Sequence, residues 1–187
     1  AGAAGGPRRL VGRAAVYNAV TDIGPFRERI APLAFSGTLS GSGGEGGADV
    51  LALLDHNAEK VLGRTKAGTL RLSDSATALE FEIDAPDTTA GRDAMALAMR
   101  GDLGGASIGF IVEEERVEKD PAGEVRVIVR AELLEISVVS AWPAYAETSV
   151  EARRGPRLGD RPRGEGRPAS PTPRLDAMKR YLDTVRE

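Results

Sequence analysis

Short segments in which apolar and polar residues alternate constrain the fold of this chain more than any other feature of its sequence. A period of two places successive side chains on opposite faces of a strand, so each segment predicts a β-strand with one face toward a core. Such strands are predicted at residues 8–17, 26–30, 49–54, 61–65, 69–72, 79–83, 107–112 and 125–139. The sequence therefore predicts a mainly β fold.

The last of these segments changes the face on which its apolar side chains lie. Apolar residues occupy odd positions up to Val129 and even positions from Leu134 onward. A strand keeps one parity unless an extra residue is inserted, so the change predicts a bulge or a change of strand. The preceding Asp-Pro-Ala-Gly stretch, residues 120–123, predicts the tip of a hairpin.

Helical patterns are few, which makes the fold α+β with flanking helices. The clearest helix is predicted from a cap at Asp87 to about Arg100, with Gly101 beyond its end. Pro32 fits the first turn of a shorter helix through Leu39.

Three regions are predicted along the chain. Residues 1–150 carry the strands and helices of one folded domain. Residues 151–173 are rich in Arg, Pro and Gly and bury too little apolar area to offset the entropy of ordering, so they predict a linker. Residues 174–187 are predicted to form an amphipathic helix, whose apolar face is made by Leu175, Met178, Leu182 and Val185.

Charge differs between these regions. Fifteen basic and 22 acidic residues lie at or before Val150, whereas 10 basic and 6 acidic residues follow it. A basic tail could contact nucleic acid through phosphates, but this one lacks the aromatic platforms of a dedicated binder. We therefore expect a solvated linker and no specific nucleic-acid partner.

Missing residue types exclude several classes of site. The chain has no cysteine, which excludes disulfides, thiolate zinc sites and cysteine nucleophiles. A single histidine excludes zinc sites that need two or three imidazoles. No apolar run approaches the roughly 20 residues that span a bilayer, so we expect a cytoplasmic protein without a membrane partner.

Ser107 is the candidate nucleophile. It lies in Gly105-Ala106-Ser107-Ile108-Gly109, which matches the G-x-S-x-G pattern. The α/β-hydrolase elbow with this pattern needs a strand before the serine and a helix after it, whereas here the predicted order is the reverse. The flanking glycines leave the hydroxyl uncrowded, although an ordinary strand serine is the alternative.

His56 is the only imidazole that could activate this serine. A serine hydroxyl is a poor nucleophile near neutral pH and needs a neighbouring base, which a third group should orient. Asp55 is adjacent, but in an extended chain its side chain points away from that of His56. Glu135 is the stronger candidate, because a carboxylate inside an apolar strand is costly unless it is paired. The alternatives are a surface histidine and a solvent-facing glutamate.

A series of motifs occurs in a fixed order along the chain. Its elements are Phe26-Arg27-Glu28, Ile30-Ala31-Pro32, Asp55-His56-Asn57, Val61-Leu62-Gly63-Arg64-Thr65, Gly68-Thr69-Leu70, Asp87-Thr88, Gly91-Arg92-Asp93, Gly105-Ala106-Ser107-Ile108-Gly109-Phe110, Leu134-Glu135-Ile136-Ser137-Val138-Val139 and Pro143-Ala144-Tyr145. This ordered combination covers about residues 9–150 and is far more specific than any one motif. It resembles the caudovirus prohead serine protease family.

The resemblance implies a serine endopeptidase of phage or prophage head maturation. Its substrates would be scaffolding segments and the leading arm of the major capsid protein, and then the enzyme itself, inside the procapsid in the host bacterial cytoplasm. The implied fold is a small, mostly antiparallel β-barrel similar to the herpesvirus assembly protease, whose likeness also suggests a homodimer. The portal protein is a further candidate partner, and no cofactor is required.

The family's histidine and serine map to His56 and Ser107. Herpesvirus enzymes use a second histidine as the third member, so a carboxylate must serve here, and Glu135 is our choice. Backbone N–H groups in the Gly-rich approach to Ser107 are candidate oxyanion donors. The competing hypotheses are a non-catalytic capsid-assembly or scaffolding module with dispersed candidate residues, and a carboxylate-metal hydrolase built on the acidic run 113–115.

Overall fold

The computed structural model describes residues 8–40 and 48–154, which form ten strands and two helices. The strands are β1 (Arg8–Val16), β2 (Thr21–Ile23), β3 (Phe26–Ile30), β4 (Leu51–Leu54), β5 (Asn57–Arg64), β6 (Leu70–Asp74), β7 (Ala78–Asp84), β8 (Gly105–Asp120), β9 (Gly123–Val139) and β10 (Ser149–Arg154). The helices are α1 (Ser36–Leu39) and α2 (Thr89–Arg100). The prediction of a mainly β fold with few helices is confirmed.

The strands form two sheets. One has the order β10-β1-β7-β6, and every pairing in it is antiparallel. The other has the order β2-β3-β9-β4-β5, with β8 also paired to β9. Within the described residues the sheets do not close into a barrel, so the expected barrel and the expected likeness to the herpesvirus enzyme are not confirmed.

β9 is the central strand of the second sheet and changes its neighbour part-way along. It pairs with β8 in antiparallel fashion over its whole length, while its other edge pairs with β3 near Val127 and with β4 near Ser137, both in parallel fashion. Register shifts interrupt the β8 pairing, one of them between the Glu114 and Glu115 pairs. The predicted bulge or change of strand is therefore confirmed, since β9 shows both.

One apolar core joins the two sheets. Leu10, Leu79 and Ile83 contribute from the first sheet and Ile30 and Ile136 from the second. Each lies at or below 1% exposure, and full burial of such a side chain stabilises the fold by about 1.5–3 kcal/mol. Helix α2 adds Ala94 and Met95 to the same cluster.

The helix ends differ from the sequence prediction in two places. Thr88, not Asp87, caps α2, because its hydroxyl accepts the Gly91 N–H at 3.2 Å while the Asp87 carboxylate pairs with Arg92. The helix predicted from Pro32 is only α1, since Leu33 adopts a left-handed φ of 61° that interrupts the helical path. Gly101 ends α2 in the left-handed conformation, as predicted.

The end of the folded domain lies slightly beyond the predicted boundary at Val150. β10 continues through Arg154 and pairs with β1, so the first residues assigned to the linker belong to a sheet. The remainder of the predicted linker and the helix predicted at 174–187 lie outside the described residues. Among the residues that are described, no helix is long and apolar enough to cross a membrane.

Candidate active site

A two-residue hairpin turn holds His56. Leu54 pairs with Asn57, and the two residues between them, Asp55 and His56, both have a φ of 54°. Positive φ at both central positions defines a type I′ turn, which fits the twist of a hairpin but normally selects Asn and Gly. A histidine in this conformation is strained by about 1–2 kcal/mol, so the surroundings must hold it there.

The end of β9 holds this turn. The Asp55 carboxylate accepts hydrogen bonds from the N–H and the hydroxyl of Ser140 at 2.7 and 3.0 Å. The Asp55 N–H donates to the Val138 carbonyl at 2.9 Å, and the His56 N–H donates to the Ser137 hydroxyl at 3.2 Å. Asp55 therefore fixes the turn, while its carboxylate is directed at Ser140 and not at the imidazole.

Glu135 orients the imidazole. Its Oε1 lies 2.7 Å from Nδ1 of His56, and its Oε2 accepts a hydrogen bond from the Ser137 hydroxyl at 2.6 Å. Glu135 is 1% exposed, so the alternative of a solvent-facing strand position is wrong. Ser137 both donates to this carboxylate and accepts from the His56 backbone, which links the two partners through one hydroxyl.

The Glu135 carboxylate also changes the proton affinity of the ring. Its hydrogen bond raises the pKa of His56 above the ordinary value of 6.5, and the negative charges of Glu135 and Asp55 act in the same direction. Partial burial opposes them by penalising the charged ring. With Nδ1–H donating to Glu135, the lone pair of Nε2 faces away from the carboxylate and is available as a base.

Ser107 lies on β8, the strand that neighbours β9 and its Ser137. The two residues are directly paired across β8 and β9, so their side chains lie on the same face of the sheet. Ser107 is 6% exposed and lines a pocket of about 380 Å³ together with His56. The other residues of this pocket are Asp55, Val139, Ala141, Trp142 and Ala144.

The structure thus brings the three sequence-predicted site residues into one neighbourhood. His56 and Glu135 form a hydrogen bond, and Ser107 shares the pocket of His56. In the part of the chain that the structure describes, no hydrogen bond joins Ser107 to His56. Catalytic hydrogen bonds are often long before substrate binds and shorten in the complex, so this geometry is compatible with a nucleophile and its base.

A comparison with protein families shows which family the chain belongs to. The family model for caudovirus prohead serine proteases matches residues 4–157. The chain belongs to this family. No curated protein and no solved structure matches it. A prohead protease acts on capsid-related substrates inside the assembling procapsid.

The Gly-rich approach to Ser107 in this prohead protease is packed against the loop that follows β9. A Cβ at Gly104 would lie 1.4 Å from the Ala141 carbonyl oxygen, so only glycine fits there. The Gly104 N–H donates to the Val139 carbonyl at 2.9 Å, and the Ala106 N–H donates to the Thr148 hydroxyl at 3.1 Å. These two N–H groups, expected as candidate oxyanion donors, are therefore already engaged.

The acidic run 113–115 is part of an exposed ion-pair network. Arg130 pairs with Glu113 and Glu114, both at 2.9 Å, and Arg126 pairs with Glu115. Across residues 8–40 and 48–154, no group of three or more His, Asp or Glu side chains is arranged to hold a metal ion. The run is therefore a solvated, ion-paired part of the β8–β9 hairpin.

Two residues that the sequence analysis did not select complete the surroundings of the site. Ser137 connects Glu135 to the His56 backbone, and Thr148 connects the Ser107 strand to the following loop by accepting from Ala106 and donating to the Tyr145 carbonyl. The Ser at the second position after Glu135 was a usable signal, because a buried hydroxyl beside a buried carboxylate has an obvious partner. Thr148 offered no comparable signal.

Proposed function

We propose that this chain is a serine endopeptidase in which Ser107 is the nucleophile, His56 the general base and Glu135 the residue that orients and stabilises the imidazolium. The observation that carries the proposal is the 2.7 Å contact between His56 Nδ1 and a Glu135 carboxylate that is 1% exposed, at a pocket that Ser107 also lines. Membership of the prohead serine proteases supports it.

The reaction follows from these roles. Ser107 Oγ attacks the peptide carbonyl carbon while Nε2 of His56 takes the hydroxyl proton. The imidazolium is stabilised by Glu135, and it then protonates the leaving amine as the C–N bond breaks. Water, deprotonated by His56, then attacks the acyl carbon; the bond to Ser107 Oγ breaks, His56 returns the proton to Oγ, and the new carboxyl terminus is released. Both half-reactions are acyl transfers in which Ser107 carries the acyl group and His56 carries the proton.

The substrates in this proposal are segments of the scaffold and of the major capsid protein, followed by the enzyme's own tail. Family membership supports capsid-related substrates. The enzyme would act within the procapsid in the bacterial cytoplasm, as a homodimer, with the portal protein as a candidate partner.

Co-expression with the matching capsid protein tests the proposal. We expect the wild-type chain to shorten the capsid protein and itself, and Ser107→Ala to leave both at full length, as followed by intact-mass spectrometry. Ser73→Ala is the matched control, because Ser73 is an exposed strand serine in the other sheet. Cleavage that persists in Ser107→Ala would reject the serine assignment, whereas full-length products with the wild-type chain would favour a non-catalytic assembly module.

A further inference from the structure

Trp142 is exposed to an unusual degree. It is the single tryptophan of the chain and is 95% exposed, whereas the other exposed large apolar side chains among the described residues reach at most 63%. Tryptophan carries a large apolar area that is costly to leave in water, and it is enriched at the centres of binding interfaces. Its exposure therefore directs attention to what lies beside it.

The indole lies at the candidate active-site pocket. Trp142 lines this pocket together with Ser107 and His56, and it is the one aromatic apolar side chain in the lining, whose other apolar members are Val139, Ala141 and Ala144. A peptide whose carbonyl reaches Ser107 must pass its neighbouring side chains along this lining. The indole is thus in a position to cover one of them.

The loop that carries Trp142 is anchored on both sides. Ser140 is bonded to Asp55, and Tyr145, which is 8% exposed, donates from its hydroxyl to Glu28 at 2.5 Å. Because these contacts fix the loop, the indole is presented by an ordered support. Binding to a pre-positioned side chain loses less conformational entropy than binding to a mobile one.

The charges at the pocket favour an apolar partner over a basic one. Asp55 is the only carboxylate in the lining, and each of its oxygens already accepts a hydrogen bond from Ser140. We propose that Trp142 is a specificity-determining residue, which packs against a bulky aliphatic or aromatic side chain of the peptide substrate close to the scissile bond. This inference rests on the proposed protease function.

Digestion of a peptide library measures this preference. The library consists of peptides from a bacterial proteome, cleavage sites are mapped by mass spectrometry, and Ser107→Ala provides the background. For the wild-type chain we expect bulky apolar residues to be enriched about ten-fold at one position near the cleaved bond, the scale that burial of such a side chain supplies. Trp142→Ala should lose that enrichment, and Trp142→Phe should keep most of it.

Val117→Ala is the control in this experiment. Val117 is 63% exposed and lies ten residues along β8 from Ser107, roughly 33 Å away at the rise of a strand. The Val117→Ala substitution should leave the cleavage profile unchanged. An identical profile for Trp142→Ala and the wild-type chain would overturn the inference, as would an enrichment of basic residues, which would assign the preference to Asp55.

A binding measurement separates failure of this inference from failure of the protease function. In Ser107→Ala, emission excited at 295 nm comes from Trp142 alone, and we expect a saturable blue shift with blocked Gly-Gly-Leu-Gly-Gly but none with pentaglycine. If the wild-type chain cleaves nothing while this shift occurs, the serine assignment fails and the apolar subsite stands. Absence of the shift, or a blue shift that grows with protein concentration before peptide is added, would overturn the subsite.

Discussion

Two parts of the β8–β9 hairpin share the same backbone pairing but place their charged side chains in opposite surroundings. In the middle of the hairpin, exposed arginines and glutamates form ion pairs in solvent, such as those of Arg130 with Glu113 and Glu114. Near the base of the hairpin, one carboxylate, Glu135, is almost fully buried against His56. The comparison teaches that the cost of removing a charge depends on its burial, because water replaces a lost partner only in the exposed middle part.

The largest expected effect comes from removing the charge of Glu135, near the base of the hairpin. Glu135→Gln keeps the size of the side chain and an oxygen that can accept from Nδ1, but it no longer stabilises the imidazolium. We expect the rate of capsid-peptide cleavage to fall by about three to four orders of magnitude. Glu114→Gln, the matched change in the exposed middle of the hairpin, should retain wild-type kcat and KM. Wild-type kinetics in Glu135→Gln would contradict the assigned role of this carboxylate.

A smaller loss is expected when the carboxylate keeps its charge but loses a donor. Ser137→Ala removes one hydrogen bond to Glu135 and the acceptor of the His56 N–H. A hydrogen bond to a charged group contributes about 1.5–3 kcal/mol, so we expect kcat to fall by about ten- to hundred-fold with KM little changed. Ser140→Ala, which removes one of the two Ser140 donors to Asp55, should cost less. Steady-state cleavage assays with one peptide substrate measure kcat and KM for both variants and for the wild-type chain.

The pH dependence of activity and of stability should run in opposite directions. The general base, His56, must be neutral to accept a proton. Because Glu135 raises the pKa of His56, cleavage should increase with pH through a midpoint above 6.5. In Glu135→Gln the midpoint should move to lower pH, since the Glu135 charge, which is the main opponent of burial at His56, is then gone. An unchanged midpoint would indicate that another group controls the rate.

Folding stability should decrease over the same pH range. A group whose pKa is raised on folding contributes stability that is complete below its unfolded pKa of about 6.5 and is lost as the pH rises through the folded value. Urea melts of Ser107→Ala, which should prevent self-cleavage, should therefore show a falling free energy of unfolding across this window. The same melts of Ser107→Ala combined with Glu135→Gln should show a weaker dependence.

The smallest effect is expected for the exposed ion pairs in the middle of the hairpin. Arg130→Gln breaks two ion pairs whose side chains are about half exposed, and exposed pairs contribute about 0–1 kcal/mol. We expect the free energy of unfolding to change by less than about 1 kcal/mol, with no change in cleavage. A loss comparable to that of Ser137→Ala would mean that the middle and the base of the hairpin are energetically coupled.

Much of this fold was predictable because local sequence patterns indicate its strands and turns. Period-two alternation located the long strands, the turn residues 120–123 located the hairpin tip, and the change of parity after Arg130 anticipated the place where β9 changes neighbour. Sheet order was not predictable, since parallel pairing of β9 with β3 and β4 joins segments far apart in sequence and leaves no local signal. The cap at Thr88 was missed because Asp87 is an equally good capping residue type.

The candidate site could be predicted in part. Residue scarcity selected His56, and the cost of a charge in an apolar strand selected Glu135, which the 2.7 Å contact supports as the partner of the ring. The type I′ turn that aims the imidazole was not predicted, because Asp-His lacks the Asn-Gly signature of such turns. The side chains of Asp55 and His56 were expected to point apart because the chain was taken to be extended there. They do point to different partners, but the reason is the turn, in which the Asp55 carboxylate accepts hydrogen bonds from Ser140.

The strained turn at His56 makes the working arrangement depend on the order of folding. Its anchors, Ser137 and Glu135, come 81 and 79 positions later in the chain, so a growing polypeptide has the imidazole long before it has anything to hold it. A contact of such sequence separation forms late, since a large loop must close first. Under the proposed mechanism, activity therefore requires the central strand β9 to be complete.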